Sequence, residues 1–144
     1  MSVTRLAIVG AGMSGLSCAD ALAIAGYDVT LFDKGRGPGG RMSTRRIETP
    51  LGEVSFDHGA QYFTARDPHF MEQVAAWEAD GVVARWPMPA ADAWVGTPGM
   101  NAIIKAMAQH HDVHWGMCID RIEKQGQGWR LIAGGTEYSG FDAI

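Results

Sequence analysis

Cysteine is scarce in this chain. Its 144 residues hold two, Cys18 and Cys118, too few for the disulfide framework that staples small secreted domains, so a reducing cytoplasm is the expected compartment. Charge is also thin. Charged side chains make up 19% of the residues, and 12 basic against 16 acidic groups leave a net charge of -4. A dedicated nucleic-acid binder carries a broad basic footprint, so no nucleic-acid partner is expected. The six prolines come with no Gly-X-Y period and no internal repeat, which excludes collagen-like and low-complexity readings. No clean apolar run is long enough to span a membrane. The nearest approach, Leu6 to Tyr27, is interrupted by Asp20 and by glycines at 10, 12, 15 and 26; it reads as strand, tight turn and buried helix, with no membrane partner.

What the chain does have is glycine and enough apolar mass for a core. Hydrophobic residues reach 47%, sufficient for one ordinary domain. The 19 glycines are close to twice the roughly 7% usual in soluble chains, and eight of them lie in the first 40 residues. Thr4 to Val9 is an apolar, β-branched run that predicts a fully buried strand. Ala11 to Ala25 predicts a helix ending at Gly26, and Asp28 to Phe32 a second strand closed by Asp33. Strand, glycine turn, helix, strand is a βαβ unit with parallel strands. Lys34 to Arg46, with five basic residues, four glycines and no acid, reads as a loop. Glu53 to Asp57 and Ala60 to Thr64 read as strands. Asp67-Pro68 supplies an N-cap and first-turn proline for a helix ending before Gly81, and Thr97-Pro98 repeats that start signal. Met100, Ile103, Ile104 and Met107 follow at helical spacing and read as core. Short strands resume from Val113, with turns at Gly126 to Gly128 and Gly134-Gly135.

Gly10-Ala11-Gly12-Met13-Ser14-Gly15 is G-x-G-x-x-G between a predicted strand and a predicted helix. In that place each glycine has a physical reason to be there. Gly10 turns the chain, Gly12 leaves room for a pyrophosphate, and Gly15 lets helix and strand pack closely. Free N–H groups at the helix start suit phosphate. Asp33, at the end of the second strand, can accept from a ribose hydroxyl. The fold class expected is therefore α/β, a Rossmann-like FAD/NAD(P)-binding βαβ domain with the beginning of an α+β substrate domain. The boundaries expected are 1–65 for the first part of the nucleotide-binding domain, 66–109 for the start of the substrate domain, and 110–144 for the return to the first.

The segment from Asp33 and Lys34 through Gly39-Gly40-Arg41-Met42-Ser43-Thr44 resembles the second glycine motif of the FAD-dependent amine oxidase superfamily; Arg36 stands one place earlier than the arginine of many members. Phe56-Asp57-His58-Gly59-Ala60-Gln61-Tyr62-Phe63 and Trp94-Val95-Gly96-Thr97-Pro98-Gly99-Met100 narrow the likeness, and with them the chain resembles renalase-like bacterial flavoproteins. That resemblance implies FAD as cofactor, held by residues 10–15, Asp33, Lys34, Gly39, Gly40, Arg41, Met42, Gly59, Ala60 and Gln61. It places Gln61 or Tyr62 on the substrate face and a strand near Gly116 to Ile119 against the adenine. It implies oxidation of a small dihydronicotinamide isomer by hydride transfer to flavin, with O2 as acceptor, and no obligatory acid or base. A flavin amine oxidase, an NAD(P)-dependent dehydrogenase and a non-catalytic nucleotide-binding fragment are the alternatives. Gly140 to Ile144 reads as the first half of a buried strand, from which a C-terminal part of the same protein is expected to be missing.

Other groupings point nowhere specific. His110, His111, His114 and Cys118 lack the paired short spacing of structural zinc, so no metal is expected. Cys118 reads as a small buried hydrophobe. Asp57-His58 has no nucleophile beside it and G-x-S-x-G is absent, so hydrolysis has no support. The five tryptophans are spread along the chain and read mainly as packing.

Overall fold

The computed structural model describes residues 4–144. They form two compact units, one made of the chain up to Pro38 together with Met107–Ile144, the other of Gly39–Ala106. These divisions fall after Pro38 and Ala106, where the sequence suggested 65 and 109.

The first unit begins with the βαβ element: β1 (Arg5–Val9), α1 (Met13–Ile24) and β2 (Asp28–Asp33). β1 and β2 are parallel, with Ala7 opposite Thr30. Gly26, at φ 87°, ends the helix, its N–H donating to the Ala23 carbonyl at 3.0 Å. β1 is less buried than its composition predicts. Only Ala7 is fully covered and Val9 is 48% exposed. α1 likewise buries one face, through Leu16 and Ala19. After the second unit the chain returns as β8 (Asp112–Trp115), which pairs in parallel with β2. No strand follows at 116–119: Gly116 turns at φ 71°, and the N–H groups of Gly116 and Met117 donate to Gly35 (2.7 Å) and Asp33 (2.8 Å) in the turn beyond β2. With β2 finished at Asp33, an extended continuation has no partner. Instead β9 (Arg121–Gln125), β10 (Gly128–Ala133) and β11 (Thr136–Phe141) form an antiparallel meander. Beyond it Ala143 bridges Leu6 in parallel, so the chain rejoins the first sheet along β1.

Ala7, Phe32, Leu131 and Phe141 form the core of this unit, with Met117, Ile119, Trp129 and Tyr138 packed against it. Burying each large apolar side chain contributes roughly 1.5–3 kcal/mol. Cys118 is exposed, contrary to the expectation. It lies in the turn that no strand covers, while its neighbours Met117 and Ile119 take the core positions.

The second unit contains β3 (Thr44–Thr49) and β4 (Gly52–Asp57) as a hairpin, then β5 (Phe63–Thr64), α2 (Pro68–Ala79), β6 (Val83–Arg85) and β7 (Ala93–Gly96). α3 (Asn101–Ala108) crosses from this unit to the other. β3 occupies the end of what reads as a basic loop: Arg45 and Arg46 are strand residues paired with Phe56 and Ser55. β3 is largely exposed on both faces, so it needs no apolar alternation, and the periodic signal is absent there. β5 is two residues, not the five expected; Ala60 donates to the Arg41 carbonyl at 2.9 Å outside any ladder. β5 and β6 flank β7 in an antiparallel sheet. Asp67 caps α2 as the sequence predicts, accepting from Phe70 N at 3.0 Å. Thr97-Pro98 does not open α3, which starts at Asn101. The core positions Met100, Ile103, Ile104 and Met107 are buried.

Candidate nucleotide site

In the first unit the glycine loop divides its roles as the motif requires. Gly10 sits at φ 106° with open space where a side chain would stand, and its N–H donates to the Phe32 carbonyl at 2.7 Å, tying the turn to β2. A Cβ on Gly15 would lie 1.8 Å from the Gly10 carbonyl oxygen, so α1 reaches the strand only because that position is bare. A Cβ on Gly12 would meet nothing within 4 Å. The space is free. The first N–H groups of a helix have no partner inside it, and at α1 no side chain caps them and no acid sits in the first turn.

Asp33 anchors this loop. Its Oδ2 accepts from Ala11 N and its Oδ1 from Gly35 N, both at 2.7 Å. The sequence assigns the carboxylate to a ribose; in the fold it also locks the glycine turn to the end of β2. Each oxygen keeps a second lone pair for a further donor. Lys34 is exposed. Within the same unit, Gly116, Met117 and Cys118 line a cavity of about 240 Å³ with Asp120, Ala133 and Gly134.

In the second unit the two other motif segments are brought side by side. Gly40–Met42 is a single 3-10 turn. Its Arg41 carbonyl accepts from Ala60 N at 2.9 Å, and Ser43 O accepts from His58 N at 3.1 Å. A Cβ on Gly59 would lie 1.9 Å from the Arg41 oxygen. Gly39, Gly40, Arg41 and Met42 therefore lie against Gly59 and Ala60, with Gln61 next in the chain. The Arg41, Gln61 and Tyr62 side chains are exposed; Tyr62 stands edge-on to Trp86 with ring centroids 6.2 Å apart.

Sequence reasoning missed one cluster in this unit. Asp57 Oδ1 accepts from Thr44 Oγ1 at 2.7 Å and from Met100 N at 2.9 Å. Thr44 Oγ1 also lies 2.9 Å from Asn101 Oδ1, a second acceptor for its hydroxyl. The only signal was position: each residue borders a glycine motif. Elsewhere in the unit the Arg66 guanidinium hydrogen-bonds Asp92 at 2.7 Å, which holds the Asp92 carboxyl below and the Arg66 group above their ordinary values.

Two histidines have defined partners in the first unit. His111 pairs with Asp20 (Nε2 to Oδ1, 2.6 Å) with its side chain 5% exposed, and His114 stacks on Phe32 at 5.0 Å. Among the described residues no three His, Cys, Asp or Glu side chains gather in a cation-holding group, and no helix is long and apolar enough to cross a membrane.

Residues 8–77 match the family model of the NAD(P)-binding Rossmann-like domain. The fold is that nucleotide-binding fold. This Rossmann-like stretch contains both the Gly10–Gly15 loop and the Gly39–Gln61 segments. Curated relatives match over part of the chain: the zeta-carotene-forming phytoene desaturase of Myxococcus xanthus is 46% identical over 44 residues, 31% of this chain and 8% of that protein. The L-amino acid oxidase of Bothrops pictus is 54% identical over 44 residues, 31% of this chain and 9% of its own length. The hydroxyneurosporene desaturase of Cereibacter sphaeroides is 52% identical over 65 residues, 45% of this chain and 12% of its own length. Each match thus spans a small part of the relative. Among solved structures, a protein assigned as a protoporphyrinogen oxidase from Exiguobacterium sp. 255-15 superposes with a TM-score of 0.67 at 11% identity, covering 96% of this chain and 58% of that one. The 2,6-dihydroxypyridine-3-hydroxylase from Arthrobacter nicotinovorans gives 0.59 at 15% identity, covering 95% and 35%. At such identities the likeness is one of fold.

Proposed function

We propose that this chain is the FAD-binding portion of a flavin-dependent oxidoreductase. The observation that carries the reading is the uncapped start of α1 behind the open space at Gly12, supported by the 44-residue matches to a phytoene desaturase and an L-amino acid oxidase. Backbone N–H groups of Gly12, Met13, Ser14 and Gly15 hold a pyrophosphate there, Gly10 and Ala11 shape the turn, and Asp33 takes a ribose hydroxyl beside Lys34. In the second unit Gly39, Gly40, Arg41, Met42, Gly59 and Ala60 serve the flavin end, and Gln61 and Tyr62 face substrate. The chemistry FAD supplies when bound is acceptance of a hydride, with O2 as the final acceptor. The chain's own part is to orient and to exclude water. Catalysis belongs to a complete protein on the scale of those longer relatives, and two unpaired thiols suit a reducing cytoplasm.

The finer reading is a renalase-like oxidase of dihydronicotinamide isomers. A small-molecule amine is the second reading, favoured by the 54% identity to an L-amino acid oxidase. Mixing the flavoprotein anaerobically with dihydronicotinamide isomers and with primary amines separates them: bleaching by the former is expected, and bleaching by amines alone reverses the choice. The Asp33 carboxylate repels a 2′-phosphate and so disfavours NADP, and the Gly39–Thr44 segment, for which a nicotinamide-dinucleotide domain has no use, disfavours an NAD-dependent dehydrogenase. Extraction of nicotinamide dinucleotide, with no flavin, from the purified protein would replace the proposal.

A further inference from the structure

The Asp57 cluster ties three stretches that the sequence separates widely. Thr44 and Asp57 are the pair where the β3–β4 ladder ends. One step further out come the bonds Ser43 O to His58 N and Arg41 O to Ala60 N. The cluster therefore sits where the hairpin hands over to the two glycine segments. Its third strand of support is the start of α3, whose Met100 N–H donates to Asp57 and whose Asn101 N–H approaches Thr44 Oγ1 at 3.4 Å. These are donors a helix start leaves free, and a carboxylate there is favoured by the helix dipole. The Thr44 hydroxyl has one proton facing two acceptors, Asp57 Oδ1 at 2.7 Å and Asn101 Oδ1 at 2.9 Å; the carboxylate is the stronger acceptor, so the hydroxyl is held chiefly by Asp57 with the Asn101 amide beside it. Gly99 makes room for it. A Cβ on Gly99 would lie 2.8 Å from Thr44 Oγ1 and 3.2 Å from Asp57 Oδ1.

We propose that Asp57, Thr44 and Asn101 are positioning residues that fix Gly39–Met42 against Gly59–Gln61 in the register a flavin contact requires. The flavin half of this inference rests on the function proposed above; the register half does not. Without the Thr44 hydroxyl the carboxylate keeps one donor from the α3 start but loses its hold on β3, and the bonds beyond the ladder open more often.

The test uses Thr44→Val, which keeps shape and removes the hydroxyl, and Thr44→Ser, which restores it; Asp57→Asn is a harsher companion. Amide hydrogen exchange is measured in the intact chain without ligand, and FAD uptake is followed by flavin fluorescence and visible circular dichroism. Thr44→Val is expected to speed exchange at His58 and Ala60 about tenfold and to weaken FAD about tenfold, the loss of one charge-assisted hydrogen bond. Exchange at β1 and β2 stays unchanged, and Thr44→Ser recovers both readouts. Unchanged exchange at His58 and Ala60 overturns the inference. Faster exchange with unchanged FAD affinity and dichroism reduces the cluster to packing and overturns the positioning role. A wild-type chain that takes up no FAD removes the flavin reading, and the exchange result alone then decides the register claim.

Discussion

Gly12 and Gly15 sit one helical turn apart and answer to different constraints. At Gly15 the limit is the chain itself, since a methyl group would stand 1.8 Å from the Gly10 carbonyl oxygen. Gly15→Ala is expected to destabilise the fold by about 3 kcal/mol, the upper end of overpacking, seen as a lower urea midpoint. At Gly12 nothing lies within 4 Å, and the backbone is extended in a way any residue adopts. Gly12→Ala is expected to cost under about 1 kcal/mol of stability while weakening FAD uptake, because the space it fills is the ligand's. Equal losses of stability in both variants would show that Gly12 is structural. A third residue-scale expectation concerns pH. Arg130 Nη2 hydrogen-bonds Glu123 at 2.6 Å and holds its carboxyl below the ordinary glutamate value. A carboxyl depressed in the folded state adds stability above its unfolded pKa and loses it as pH falls through the folded one. The melting temperature of Glu123→Gln should therefore fall below wild type at neutral pH, with the gap closing on acidification below the usual carboxylate range. A gap independent of pH would rule out the ion pair as its cause.

Helix starts differ in what satisfies them. α2 is capped from its own sequence by Asp67, α3 from two hairpin strands by Asp57 and Thr44, and α1 by no side chain. The first was legible because a cap three residues from its donor is a local pattern. The second was not, because Asp57 and Met100 are 43 positions apart and no periodicity relates them. Asp67→Ala is expected to lower stability by about 1 kcal/mol without touching FAD uptake; thermal melting and a fluorescence titration check the two halves. Strands followed the same division. β1 and β2 were legible from apolar runs that face a core, whereas β3, exposed on both faces and holding two adjacent arginines, carries no alternation to read.

Each unit has its own buried set. Leu131 is fully buried with Phe32 and Phe141 in the first, and Val74, Trp77 and Trp94 are buried in the second. Leu131→Ala is expected to cost about 2–5 kcal/mol and to raise amide exchange across β1, β2 and β10 first; Val74→Ala should do so across α2, β6 and β7. Uniform acceleration throughout by either variant would show a single cooperative fold instead.

By itself the sequence determined the βαβ unit, the glycine loop and the acid after the second strand. All depend on contacts within about thirty residues, where strand, turn and helix preferences act directly on the chain. Only the tertiary structure decided which residues share a site. It bonded the two oxygens of Asp33 to backbone N–H groups of two different loops, at Ala11 and Gly35, exposed Cys118, and drew Thr44, Asp57 and Asn101 into one hydrogen-bonded group. Such pairings are set by the packing of elements far apart in the chain, and a carboxylate or hydroxyl carries no mark in sequence of the donor it will meet.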